Sequence, residues 1–234
     1  MRVFGLLAGV ALAVCAAAAQ EPPDVAEILK RVSEAYQAAS QYELRASETM
    51  RLPGTDKSAV AETYVAFKAP DRYRLEGKIP GLFDENPDLD QAVMVYDGSG
   101  LWFYFPKPNL YTFVSADDLA ADPEIGAHTP QATDDVVVKK YRVAANFVDA
   151  AKLLRDEEID FGDAKVACYV VSVPEKWPGP YTWWVEKSSY HVLREIKSGG
   201  TVQYKTVRLG EPLPDSLFRF VPPPGAKKLE LDAQ

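Results

Sequence analysis

A chain of 234 residues, 47% of them hydrophobic and 26% charged, is long enough to bury a large core. Its formal charge of −8 at pH 7 speaks against nucleic acid and against an anionic membrane surface as partners. Only two cysteines are present, Cys15 and Cys168.

The first residues read as an address. Arg2 is the only charge before Glu21, Val3 to Val14 is apolar, and Ala16 to Ala19 fit an A-x-A cleavage site ahead of Gln20. Residues 1–19 are therefore expected to be a secretory signal peptide, and residues 20–234 a single domain. A lipoprotein signal ending at Cys15 is the alternative, although Val14 is larger than the small residue wanted before a lipidated cysteine. No later stretch approaches the roughly 20 apolar residues of a membrane span. With the leader removed, Cys168 stands alone in the apolar run Val166 to Val171, so an intrachain disulfide is excluded and a buried thiol is expected.

Asp24, with Glu27 three residues on, opens a helix in a capping-box-like pattern. Val25, Ile28, Leu29, Val32, Ala35, Tyr36 and Ala39 fall on one face of it, which must lie on something apolar. Strands follow. Tyr42, Leu44 and Ala46 alternate with Glu43, Arg45 and Ser47; Thr63, Val65 and Phe67 alternate with Tyr64 and Ala66; Tyr73 and Leu75 alternate with Arg72, Arg74 and Glu76. Ala92 to Tyr96 and Leu101 to Phe105 flank Asp97-Gly98, a hairpin signal, and Leu110 to Val114 comes next.

Pro80 to Asp90 and Ala116 to Asp135 read as long turn-rich connections. A second helix is expected from Asn146, with Phe147, Ala150, Ala151 and Leu154 on one face. The meander resumes with Ala164 to Val173, Tyr181 to Glu186, Tyr190 to Lys197 and Val202 to Leu209, and Phe218-Arg219-Phe220 is strand-like. The fold class expected is mainly β with helices (α+β). Roughly ten or eleven antiparallel strands would form one curved sheet or open barrel.

Chemistry-bearing patterns are scarce. His128 and His191 lie near no second ligand at metal spacing, there is no H-E-x-x-H, C-x-x-C or G-x-S-x-G, and no glycine loop suits a phosphate. A secreted hydrolase is disfavoured for lack of a nucleophile–base pair, and no catalytic residue, metal or cofactor is expected. What stands out is apolar. Leu101 to Phe105 and Tyr181 to Val185 are apolar on both parities, so either one face packs on a helix and the other on a loop, or one face lines a cavity for an apolar guest.

Three segments carry a family resemblance. Asp97-Gly98-Ser99-Gly100-Leu101-Trp102-Phe103-Tyr104 resembles the D-G-x-x-L-W-x-Y hairpin of the LolA family, periplasmic carriers of outer-membrane lipoproteins. Phe218 to Gly225 resembles that family's F-x-F-x-P-P-x-G terminus, and Phe67 to Tyr73 its K-x-P-x-x-F/Y segment. The resemblance implies an unclosed β-barrel covered by helices, holding acyl chains of a lipid or lipoprotein in an apolar groove. It implies a periplasmic carrier or chaperone and, as further partners, inner- and outer-membrane docking proteins. Phe67, Tyr73, Leu75, Met94, Trp102, Tyr104 and Trp183 are the groove-lining candidates. One residue departs: the family has an arginine before the proline of the K-x-P segment, where this chain has Ala69, so the family's release switch does not carry over. The alternative is a periplasmic ligand-binding sensor or regulator module of the same fold, which an exposed apolar patch away from any cavity would favour.

Overall fold

The computed structural model describes residues 23–52, 56–80, 87–121, 138–174 and 180–229. The expected signal peptide and cleavage site lie outside these residues, as do His128 and most of the two long connections.

Helix α1 (Val25–Gln37) forms as its periodicity requires. Asp24 caps it, its Oδ1 accepting from the backbone N–H groups of Ala26 and Glu27, while the Glu27 side chain turns outward to Arg31 at 2.7 Å. Ile28, Leu29, Val32 and Tyr36 are buried at the spacing that gave the helix its apolar stripe.

The strands are β1 (Gln41–Arg51), β2 (Ser58–Lys68), β3 (Arg72–Lys78), β4 (Gln91–Tyr96), β5 (Gly100–Phe105), β6 (Leu110–Ser115), β7 (Lys152–Phe161), β8 (Ala164–Val173), β9 (Tyr181–Glu186), β10 (Val192–Lys197), β11 (Gly200–Leu209) and the two-residue β12 (Lys227–Lys228). They make one sheet in the order β12-β6-β5-β4-β3-β2-β1-β11-β10-β9-β8-β7. Every neighbour is antiparallel except β12 beside β6. The end strands β12 and β7 do not pair, so the curved sheet stays open, which is the expected fold class.

The inner face of the sheet is covered by α1 and by a segment running from helical residues 138–142 through a 3-10 turn at Ala144–Phe147. Val138, Tyr141 and Ala144 of that segment join the α1 stripe in a single core with Tyr42, Leu44, Tyr73, Val171, Trp183 and Val185. Three hydrogen bonds tie the cover together: Ser33 Oγ and Gln37 Nε2, the latter at 2.7 Å, donate to the Arg142 carbonyl, and Arg142 Nε donates to the Tyr36 carbonyl at 3.2 Å.

Four expectations are corrected. The helix from Asn146 is absent: Asn146 lies in the 3-10 turn, the chain enters β7 at Lys152, and Leu154 is exposed on that strand. Residues 116–121, expected as turn, form the short helix α2 (Ala116–Ala121), which buries Leu119. Phe218 ends a 3-10 turn (Asp215–Phe218) instead of opening a strand. β10 starts at Val192, since Tyr190 adopts a left-handed turn conformation with φ of 60°.

Candidate functional site

Strand alternation and register arrange the inner face in rows. The first row, beside the C-terminal end of α1, is aromatic: Tyr42 opposes Phe67, Phe67 opposes Tyr73, and Tyr73 opposes Tyr96. The second is aliphatic, running Val207, Leu44, Val65, Leu75, Met94. In the third the side chains shrink to Ala46, Thr63, Gly77 and Ala92, with Tyr204 at one end. The fourth holds Val202, Glu48 and Ala61. A register irregularity opposite Arg45 and Ala46 lets both Tyr204 and Val207 face inward beside Leu44 and Ala46.

Where the rows shrink, a cavity of about 260 Å³ opens between the sheet and the cover. Leu44, Val65 and Leu75 form one wall, Ala46, Thr63, Val202 and Tyr204 the floor, and Glu48, Lys197 and Lys140 the polar rim. Lys197 Nζ lies 2.7 Å from Glu48 Oε1. Lys140 reaches from the cover to Glu195 Oε1, also at 2.7 Å.

Glu195 is fully buried on β10, yet each of its oxygens has a partner. Besides Lys140, Tyr141 Oη donates to Oε2 at 3.0 Å and Trp183 Nε1 donates to the same oxygen at 3.0 Å. Tyr141 and Tyr204 share a hydrogen bond of 2.9 Å between their hydroxyls. Burial, reinforced by the neighbouring Glu195 charge, holds both tyrosines well above the usual phenol range, so they remain neutral donors. This network clamps the cover segment to the sheet beside the cavity.

Of the seven candidate lining residues, Leu75 borders the cavity directly. Met94 pairs with it in the same row, and Phe67 and Tyr73 share its face in the neighbouring aromatic row. Trp183 is on the inner face too, but it lies fully buried beneath the cover, edge-on to Tyr141 at 5.2 Å. Trp102 and Tyr104 point the other way. Leu101 and Phe103 join the inner core, which leaves Trp102 on the outer face against Phe113 at 4.4 Å and Phe220 at 5.4 Å. Tyr104 packs on Phe220 at 5.5 Å and donates to Asn109 Oδ1 at 3.0 Å.

The segments that carry the resemblance meet on this outer side. Trp102 Nε1 donates to Asp97 Oδ2 at 3.0 Å, Asn109 Nδ2 donates to the Pro224 carbonyl at 3.3 Å, and Lys68 and Arg72 both approach Asp215 at 2.6 and 3.4 Å. Burial raises the Asp97 carboxyl, but the hydrogen bonds from Ser99, Trp102 and Gly100 outweigh it and leave the pKa below its usual value. Those motifs thus fasten the C-terminal segment to the sheet and do not themselves line the cavity. Ala69 is exposed at the β2–β3 turn, its N–H donating to the Ser40 carbonyl at 2.8 Å.

Sequence reading missed Leu44, Ala46, Glu48, Thr63, Val65, Val202 and Tyr204 as lining residues, together with Lys140 and Lys197. The expected alternation had already put Leu44 with Ala46, and Thr63 with Val65, on one face of their strands; side-chain size along each strand was the unused signal. Cys168 is buried among Val170, Trp184 and Leu193 on the outer side, and burial pushes its thiol up to about 11. Among the described residues no group of three or more His, Cys, Asp or Glu could hold a metal ion, and no helix is long and apolar enough to cross a membrane.

No family model matches the sequence. An uncharacterized protein of Methanocaldococcus jannaschii is 24% identical over 236 residues, covering 97% of this chain and 59% of that protein. The chain thus spans 59% of the length of the curated relative it matches. Among solved structures it is similar to LprF from Mycobacterium bovis, with a TM-score of 0.48 at 15% identity over 81% of this chain and 94% of that one. Lipoprotein LppX from Mycobacterium tuberculosis gives 0.44 at 14% identity, over 81% and 96%. A LolA superfamily protein from Nitrosomonas europaea gives 0.31 at 17% identity, over 85% and 99%.

Proposed function

We propose that this chain is an exported, single-domain, non-catalytic carrier or chaperone that shelters an acyl chain of a lipid or lipoprotein on the inner face of its sheet. The observation that carries the reading is the cavity of about 260 Å³ beside the cover segment, walled by Leu44, Val65 and Leu75 and left unfilled by the side chains of the described residues. A partly open apolar recess of this kind is the form that small-molecule sites take. Each acyl methylene kept from water there is worth roughly 0.8 kcal/mol, so an apolar wall supplies the binding energy without any reactive group. The resemblance of the three sequence segments to the LolA family supports the same reading, and with it a periplasmic location and docking proteins at the two membranes.

One candidate patch among the described residues does not favour the sensor alternative. Val60 and Ile196 are exposed in one outer row but are separated by Thr49 and Thr201 on the intervening strands, so they form no continuous patch. The test is to purify the protein from its native envelope, extract it with organic solvent and identify bound lipid by mass spectrometry. Near-stoichiometric acyl lipid is the expected result. Lipid-free protein that also fails to bind any acyl probe saturably overturns the reading.

A further inference from the structure

The cavity is graded in both size and charge. Its aliphatic end, Leu44, Val65 and Leu75, faces the buried aromatic row, whereas its other end carries Glu48, Lys197 and Lys140. A guest with one apolar and one polar end has a single favourable orientation there, tail toward the aliphatic wall.

The polar end also discriminates among head groups. Each ammonium already has a carboxylate at 2.7 Å: Lys197 has Glu48, and Lys140 has Glu195. Two cations and two anions sum to no net charge, so no surplus positive charge there offsets the desolvation of an added anion. An ammonium nonetheless carries three donors, and one carboxylate contact leaves N–H groups for a neutral carbonyl acceptor. The route past the third row is open on the side of β3. A Cβ added to Gly77 would meet no atom within 4 Å, so the inner side of β3 is open space there, level with Ala46 and Thr63. A volume of about 260 Å³ lies below the roughly 300–1,000 Å³ of drug-sized sites, a size matched to one narrow chain.

We infer that the site selects a single linear acyl chain presented as a neutral ester, passing over Ala46, Thr63 and Gly77 with its ester carbonyl at Lys197 and Lys140. This rests on the acyl-binding reading above and names the ligand class within it. An acyl ester meets the donors without bringing charge; the matching free fatty acid, ionised at neutral pH, brings an anion beside Glu48 and Glu195.

The test compares a fluorescent fatty acyl methyl ester with the matching free acid at pH 7, on the full mature chain. The ester is expected to bind at least tenfold more tightly. Glu48→Gln, which removes one anion from the rim, should narrow or reverse that preference, and Gly77→Leu should weaken ester binding at least tenfold while the melting temperature holds. Thr63→Leu repeats the obstruction from the next strand if Gly77→Leu does not fold. Equal or tighter binding of the acid by the unmodified protein overturns the head-group assignment. Unchanged ester affinity in a folded obstructed variant overturns the path. In both cases the acyl-binding reading survives, whereas that reading fails together with this one if neither probe binds saturably.

Discussion

Replacing Glu195 with leucine removes the acceptor on which the cover segment hangs. The carboxylate is fully buried and takes Lys140 Nζ at 2.7 Å, Tyr141 Oη at 3.0 Å and Trp183 Nε1 at 3.0 Å. Tyr141 keeps its hydrogen bond to Tyr204, but Trp183 Nε1 loses its acceptor and Lys140, whose side chain is 20% exposed, loses its counter-charge. Breaking one side of a buried ion pair typically costs about 3–5 kcal/mol. Leucine offsets part of this by apolar burial, so a net loss of roughly 3–4 kcal/mol is expected. For a domain of this size that lowers the melting temperature by roughly 6–16 °C. Urea denaturation followed by tryptophan fluorescence measures it. The double variant Glu195→Leu/Lys140→Leu, which removes both charges, should recover much of the loss. A single-variant effect under about 1 kcal/mol, or a double variant no better than the single, refutes the clamp.

Trp183→Ala should cost about 3–5 kcal/mol, because the residue is fully buried under the cover, and a smaller loss in a denaturant melt would show that its site collapses freely. Gly100→Ala should lower stability by about 1–3 kcal/mol, since its Cβ would sit 2.3 Å from the Val114 carbonyl oxygen; an unshifted melting curve contradicts that contact. Burial lowers the His191 pKa, so the folded protein binds fewer protons than the unfolded chain as pH falls below about 6.5. Stability present above that value should decline through the folded pKa, and His191→Gln should flatten the acid side of a melting-temperature profile. On the alkaline side burial raises Tyr36, Tyr141 and Tyr204 above the ordinary phenol value. The stabilisation they provide is complete below about pH 10 and should be lost as pH climbs beyond it, seen as unfolding coincident with phenolate absorbance.

The strands β1–β6 and β8–β11 and helix α1 were legible because each signal was local, whereas β7 and the two-residue β12 were not expected. Asp97-Gly98 does make the β4–β5 turn, with Gly98 at φ of 94° and Asp97 Oδ1 accepting from Ser99 N at 2.9 Å. The helix expected from Asn146 failed for a similarly physical reason. Phe147, Ala150, Ala151 and Leu154 match helical spacing, but that match spans a 3-10 turn and the first residues of β7. Pairing along β8, closed by Gly162 at φ of 60°, outweighs a short periodic match. β5 was ambiguous for another reason: with Leu101 to Phe105 apolar on both parities, only tertiary contacts decide that Leu101 and Phe103 face inward and Trp102 and Tyr104 outward. The cavity was the least legible feature. It is lined by small residues, Ala46 and Thr63, in a row that Gly77 continues on the next strand, and register alone brings them together.

The central claim, that an acyl chain lies against Leu44, Val65 and Leu75, is tested most directly by methyl NMR. The protein is labelled at its Leu, Val and Ile methyls and titrated with a fatty acyl ester. Saturable shifts at Leu44, Val65, Leu75 and Val202 are predicted, with Ile159, Val170 and Leu193 of the outer cluster unmoved. Shifts confined to the outer cluster, or none that saturate, would contradict the account.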